Sequence, residues 1–157
     1  MLIQFQDYLT FENIYLLTNF GILPFWLMLI IIPNSRFTQF FINSIILPII
    51  LSATYIYIIY QTILMDEPMS DVFKLYLSLA KLYTLFATES FLLIFWLHFL
   101  ALNLFMGSWI ARDGIKYNVP RNLAFFPLIL VYLAGPLGLV LYWIIRIFYA
   151  KRISLHD

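Results

Sequence analysis

The sequence predicts an all-α integral membrane protein, a bundle of about four transmembrane helices with one interfacial amphipathic helix. Three observations predict it. First, 64% of the 157 residues are hydrophobic and 11% are charged, against about 45–50% and about 25% in an ordinary soluble domain. Second, every Asp, Glu, Lys and Arg lies outside four stretches: Asn13 to Ser35, Phe37 to Met65, Ser90 to Ala111 and Asn122 to Ile145. A helix rises about 1.5 Å per residue, so about 20 residues cross a hydrocarbon core about 30 Å thick, and each stretch is longer than that. A charge at mid-bilayer costs about 2.5 kcal/mol or more, which explains where charge is missing. Third, runs such as Leu27 to Ile32 and Leu137 to Leu141 are apolar on all sides. They lack the alternation of barrel strands, and a helix pairs its own amides inside lipid.

The elements follow in order, within one membrane domain spanning residues 1–157. Residues 1–12 form a lead-in without the basic start of a cleavable signal, and none is expected. Asn13 is a candidate cap for the first span, residues 14–33, which Pro24 should kink. The second span, 40–64, ends in Tyr55, Tyr57 and Tyr60, which suit an interfacial aromatic belt. Residues 71–86 alternate apolar and polar faces with a period of about 3.6: Val72, Phe73, Tyr76, Leu79 and Tyr83 against Lys74, Ser78 and Lys81. This pattern predicts a helix lying along the membrane surface, with a soluble-side extension of the third span as the alternative. Thr88 and Glu89 open the third span, 89–111, with a carboxylate favoured at the helix start and Gly114 as terminator. The fourth span, 123–148, contains Pro127 and Gly135-Pro136-Leu137-Gly138, which should bend or break it. Arg146 near its exit can snorkel to the surface.

With four spans, Lys74, Lys81, Arg146, Lys151 and Arg152 share one side, and Arg36, Arg112, Lys116 and Arg121 the other. Five against four leaves the orientation undetermined. The absence of cysteine excludes disulfides and thiolate chemistry. A net charge of +1 argues against a nucleic-acid partner. Two histidines without H-x-x-x-H spacing give no metal site, and no cofactor is expected.

Polar groups within spans are functional candidates by default. His98 lies about 14 Å along the third helix from Glu89, near mid-bilayer. A neutral imidazole bonded to a neighbouring helix is the alternative. Asn103 is a candidate for substrate contact or for interhelical hydrogen bonding. At about 100° per residue, Glu89, Trp96, Asn103 and Gly107 share a stripe, and His98 lies nearly opposite Glu89. Asp113 is about 36 Å along the axis from Glu89. This helix alone therefore assembles no acid–base pair.

The stretch from Leu75 to Gly114 carries Phe86, Thr88-Glu89, Trp96-x-His98, Leu104-Phe105-x-Gly107-x-Trp109 and Asp113-Gly114. With Pro24-x-Trp26, Pro33, Pro127, Gly135-Pro136-x-Gly138 and Arg146, it resembles the abscisic-acid-deficient-4-like family, over roughly residues 12–148. Plant members of that family take part in making neoxanthin from violaxanthin in plastid membranes. The resemblance implies a long, carotenoid-like substrate held between helices, and a carotenoid epoxide isomerase-like activity that needs a proton donor and a base. Glu89, His98 and Asp113 match family positions as catalytic candidates. Trp96, Asn103, Gly107, Trp109, Gly135 and Pro136 are the substrate-binding candidates. The family carries Asp where this chain has Asn103, and an amide cannot exchange protons as a carboxylic acid does.

Expected partners are membrane lipid, a carotenoid-like ligand, and a protein partner or second copy of the chain. The alternative function is a non-catalytic module: a lipid or pigment binder, or a subunit of a larger complex. A small transporter is disfavoured, because ion pathways line up several ionisable groups. Abundant Ile, Phe, Tyr and Asn point to an AT-rich genome and a bacterial inner membrane.

Overall fold

The computed structural model describes residues 9–44, 46–64 and 76–154. The described residues form helices and no strand: α1 (Phe11–Ile31), α2 (Arg36–Phe41), α3 (Ile46–Leu64), α4 (Leu79–Phe86), α5 (Glu89–Lys116), α6 (Arg121–Ala134) and α7 (Pro136–Ala150). Among them, α1 and α5 are long and apolar enough to cross a membrane. The chain divides into two compact units. Unit 1 is Met1–Ile22 with Ile49–Phe99, and unit 2 is Leu23–Pro48 with Leu100–Asp157.

Local chemistry sets the helix ends. Thr10, not Asn13, caps α1: its hydroxyl accepts the Asn13 N–H at 3.2 Å. Pro24 lies inside α1, which continues through it. Ser78 caps α4 by accepting from the Lys81 N–H. Residues 71–75 of the expected surface helix lie outside the described residues. Glu89 opens α5 as expected, but Gly114 does not end it. Asn118 takes the left-handed conformation (φ 55°) instead. The Val119 and Asn118 N–H groups then donate to the Gly114 and Ile115 carbonyls at 2.8 and 3.2 Å, satisfying the last turn.

In unit 1, Ile14, Ile58, Leu93, Ile94 and Leu97 form a buried core, flanked by Phe11, Tyr55, Tyr57 and Ile59. Residues from α1, α3 and α5 therefore pack on one another. Phe11 and Glu12 border the same groove as Glu89, and seven residues further along each helix the Trp96 indole N–H donates to Asn19 Oδ1 at 2.8 Å. Within unit 1, α1 and α5 thus run parallel, with their N-terminal turns side by side.

Unit 2 departs from expectation. A single span over 123–148 does not form. The chain instead folds back between α6 and α7. Gly135 has φ +45°, which glycine adopts without steric cost, and Pro136 starts α7 at once. A Cβ built on Gly138 would lie 2.3 Å from the Val131 backbone nitrogen and 2.5 Å from the Pro127 carbonyl oxygen. In a continuous helix, residues eleven apart are about 16 Å apart along the axis. Backbone contact between residues 127 and 138 therefore requires an antiparallel hairpin. At about 1.5 Å per residue, neither the 14-residue α6 nor the 15-residue α7 is long enough to cross a bilayer alone.

Candidate functional site

Unit 1 holds a groove of about 400 Å³ lined by Phe11, Glu12, Tyr15, Glu89, Leu92, Leu93 and Trp96. The parallel arrangement of α1 and α5 builds it. Each helix carries a glutamate in its first turn, where the positive end of the helix dipole favours a carboxylate. Further in, about one turn past Glu12 and two turns past Glu89, Tyr15 and Trp96 face each other with ring centroids 6.0 Å apart, and Trp96 stacks on Phe99 at 5.3 Å. The bond from Trp96 to Asn19 fixes the indole against α1. The result is an apolar, aromatic trough with two exposed carboxyl groups along its border. Such a pair can give and take protons beside an apolar ligand.

Glu89 and Trp96 are thus two expected site residues brought to one place. Glu12, Phe11 and Tyr15 were missed. Their signal was the first turn of α1, which carries a glutamate at the start of an uncharged stretch just as α5 does. His98 is an exposed residue of the same unit, and its ring is tilted against Tyr55 at 6.4 Å.

The remaining candidates belong to unit 2. Asn103, Gly107 and Gly135 come together around the hairpin tip. A Cβ on Gly135 would lie 2.7 Å from Asn103 Oδ1, and one on Gly107 would lie 2.6 Å from the Trp26 ring. Trp26 packs its edge on Tyr132 at 5.4 Å. The Trp26 indole N–H and the Asn103 amide nitrogen are both buried without an acceptor among the described residues. Pro136 is exposed at the start of α7.

Asp113 sits in a different setting. Its Oδ2 accepts from the Tyr142 hydroxyl at 2.6 Å and from Arg146 Nε at 2.7 Å. Arg146 is fully buried, which overturns the expectation that it snorkels to the surface. Its guanidinium lies over the Tyr117 and Trp143 rings, at 4.8 and 5.1 Å. Its Nη1 donates to the carbonyls of Ser154 at 3.1 Å and Arg152 at 3.5 Å. Trp109 supports this cluster, packing its edge on Tyr142 at 5.5 Å. Asp113 therefore serves to tie α5 to the returning hairpin.

Comparison with known proteins adds the relationship. The family model described as ABA DEFICIENT 4-like matches residues 13–142, a range that leaves out Phe11, Glu12 and Arg146. The Protein ABA DEFICIENT 4, chloroplastic, of Arabidopsis thaliana is 22% identical over 138 residues, covering 86% of this chain and 61% of that protein. The chain thus spans less than two thirds of the length of this curated relative. No solved structure matches the chain. On the strength of the family match across residues 13–142, the chain belongs to the ABA DEFICIENT 4-like family.

Proposed function

We propose that this is a multi-pass membrane protein that binds a long, carotenoid-like molecule within the bilayer and transfers protons at its oxygenated end. α1, α3 and α5 cross the membrane, and α6–α7 enter and return. The length and apolar character of α1 and α5 support this arrangement, as does their parallel course in unit 1. Parallel neighbouring spans require the chain to recross between them, and α3 supplies the returning helix.

The groove between Glu12, Glu89 and Trp96 is the observation that carries the functional proposal. Its aromatic walls suit a flat, conjugated, apolar molecule. Opening an epoxide to an allene needs one group to protonate oxygen and another to remove a carbon-bound proton. Glu89 and Glu12 are the two groups in the groove with that chemistry. Asp113 takes a positioning role, because its carboxylate is occupied by Arg146 and Tyr142. A second reading, pigment binding without turnover, is favoured by Asn103 standing where the family carries Asp.

Expression of the chain in a carotenoid-producing host tests both. Pigment should co-purify with the protein in mild detergent, and the host's pigment profile should gain an isomerised product. Glu89→Gln should keep the pigment and lower product formation by about 10²-fold or more, the usual scale of a general acid or base. Trp96→Ala should lose both pigment and product. Pigment retention with an unchanged profile would leave the binding function alone. Colourless protein and an unchanged profile would contradict both.

A further inference from the structure

The α6–α7 hairpin has a consequence for charge. Asp113 at the end of α5 binds Arg146 of α7, and Arg146 holds the carbonyls of Arg152 and Ser154. The tail after α7 therefore lies beside the end of α5, where α6 begins. Pro33 and Asn34 line a narrow cavity with Gly114, Ile115 and Arg121, so the turn before α2 is at the same end of unit 2. Seven of the chain's nine bases gather there: Arg36, Arg112, Lys116, Arg121, Arg146, Lys151 and Arg152. Only Lys74 and Lys81 belong to unit 1.

The acids divide the other way. Asp7, Glu12, Asp66, Glu67, Asp71 and Glu89 belong to unit 1, leaving Asp113 and Asp157 to unit 2. Asp113 is matched by Arg146. The other six bases are exposed, and no exposed acid stands among them in the described residues of unit 2. Unit 2 thus holds seven bases and unit 1 two. Lys and Arg tend to remain on the cytoplasmic side of a membrane, which suits this basic end of unit 2.

We propose that this end of unit 2 is an anionic-phospholipid surface, seated among the headgroups of the cytoplasmic leaflet. Its charge is complementary to that leaflet, whose negative surface potential attracts basic segments flanking a span. Four of the six exposed bases are arginine, whose planar fork binds phosphate oxygens in pairs. The proposal rests on the membrane arrangement put forward above.

The test is thermal unfolding of the full chain in a neutral detergent, with dioleoylphosphatidylglycerol, dioleoylphosphatidylcholine or inorganic phosphate added at equal concentration. Phosphatidylglycerol should raise the midpoint, while the other two should leave it within error. Raising salt from 0.1 to 1 M should shrink the shift, since screening acts on exposed charges. The R36Q/R112Q/R121Q variant should lose at least half of it, and R36K/R112K/R121K should keep most of it. Equal shifts from phosphatidylcholine or inorganic phosphate, no shift from phosphatidylglycerol, or a full shift in the glutamine variant would each overturn the proposal. Failure of the underlying membrane arrangement has a different signature, recovery of folded protein from cells without detergent.

Discussion

Gly138→Ala is expected to open the C-terminal hairpin and to destabilise unit 2 by about 3 kcal/mol, the upper end of the range for overpacking a close-packed site. The added methyl meets the Val131 backbone nitrogen and the Pro127 carbonyl oxygen, not a side chain able to swing aside. Relief requires α7 to move away from α6. Gly21→Ala is the control, because nothing lies within 4 Å of a Cβ there. Replacing glycine by alanine inside a helix is favourable by about 1 kcal/mol on propensity alone. Thermal unfolding in detergent should separate the two variants clearly, with Gly21→Ala equal to or above the parent. Similar midpoints for both would mean that the α6–α7 contact is not as close as described.

The second large effect is expected at the buried ion pair. Arg146→Met leaves the buried Asp113 carboxylate without its counter-charge, with the Tyr142 hydroxyl still donating to it. Removing one member of a buried pair costs about 3–5 kcal/mol, mostly because the remaining charge is stranded. Asp113→Leu should cost a similar amount for the same reason, with the guanidinium then unmatched between Tyr117 and Trp143. The double variant Asp113→Leu/Arg146→Met removes both charges and should recover much of the loss. A double-mutant cycle read by thermal unfolding measures that coupling. Additive single effects would show that the two side chains do not depend on each other.

These two sites also show what was legible in the sequence. Helix content follows directly from uncharged stretches of span length, and the start of α5 from Thr88 and Glu89. The break at Gly135-Pro136 was visible as well, since a Gly-Pro pair bends or breaks a helix. Its direction was not visible. Residues 122–145 are as long and as uncharged as a true span, and nothing in their composition separates a straight crossing from a return. The deciding residue is Gly138, whose contact is with a backbone eleven positions earlier. Arg146 was misplaced for a related reason. Its acceptor, Asp113, lies 33 residues away in sequence, so local pattern offers an arginine near a helix end only a route to the surface. At the groove, Glu89 and Trp96 could be named from one helix. Glu12 and Tyr15 emerged only once α1 and α5 were seen to run side by side.

The hairpin brings the chain after Gly135 back to the end of unit 2 that it left at Arg121. The chain has no cysteine, so single cysteines can be introduced without background. Asn122→Cys and Ser154→Cys variants, expressed in membranes, are treated with an impermeant maleimide from one side at a time. The hairpin predicts that positions 122 and 154 react from the same side. Reaction of positions 122 and 154 from opposite sides would mean that α6 and α7 make a plain crossing and would contradict the hairpin.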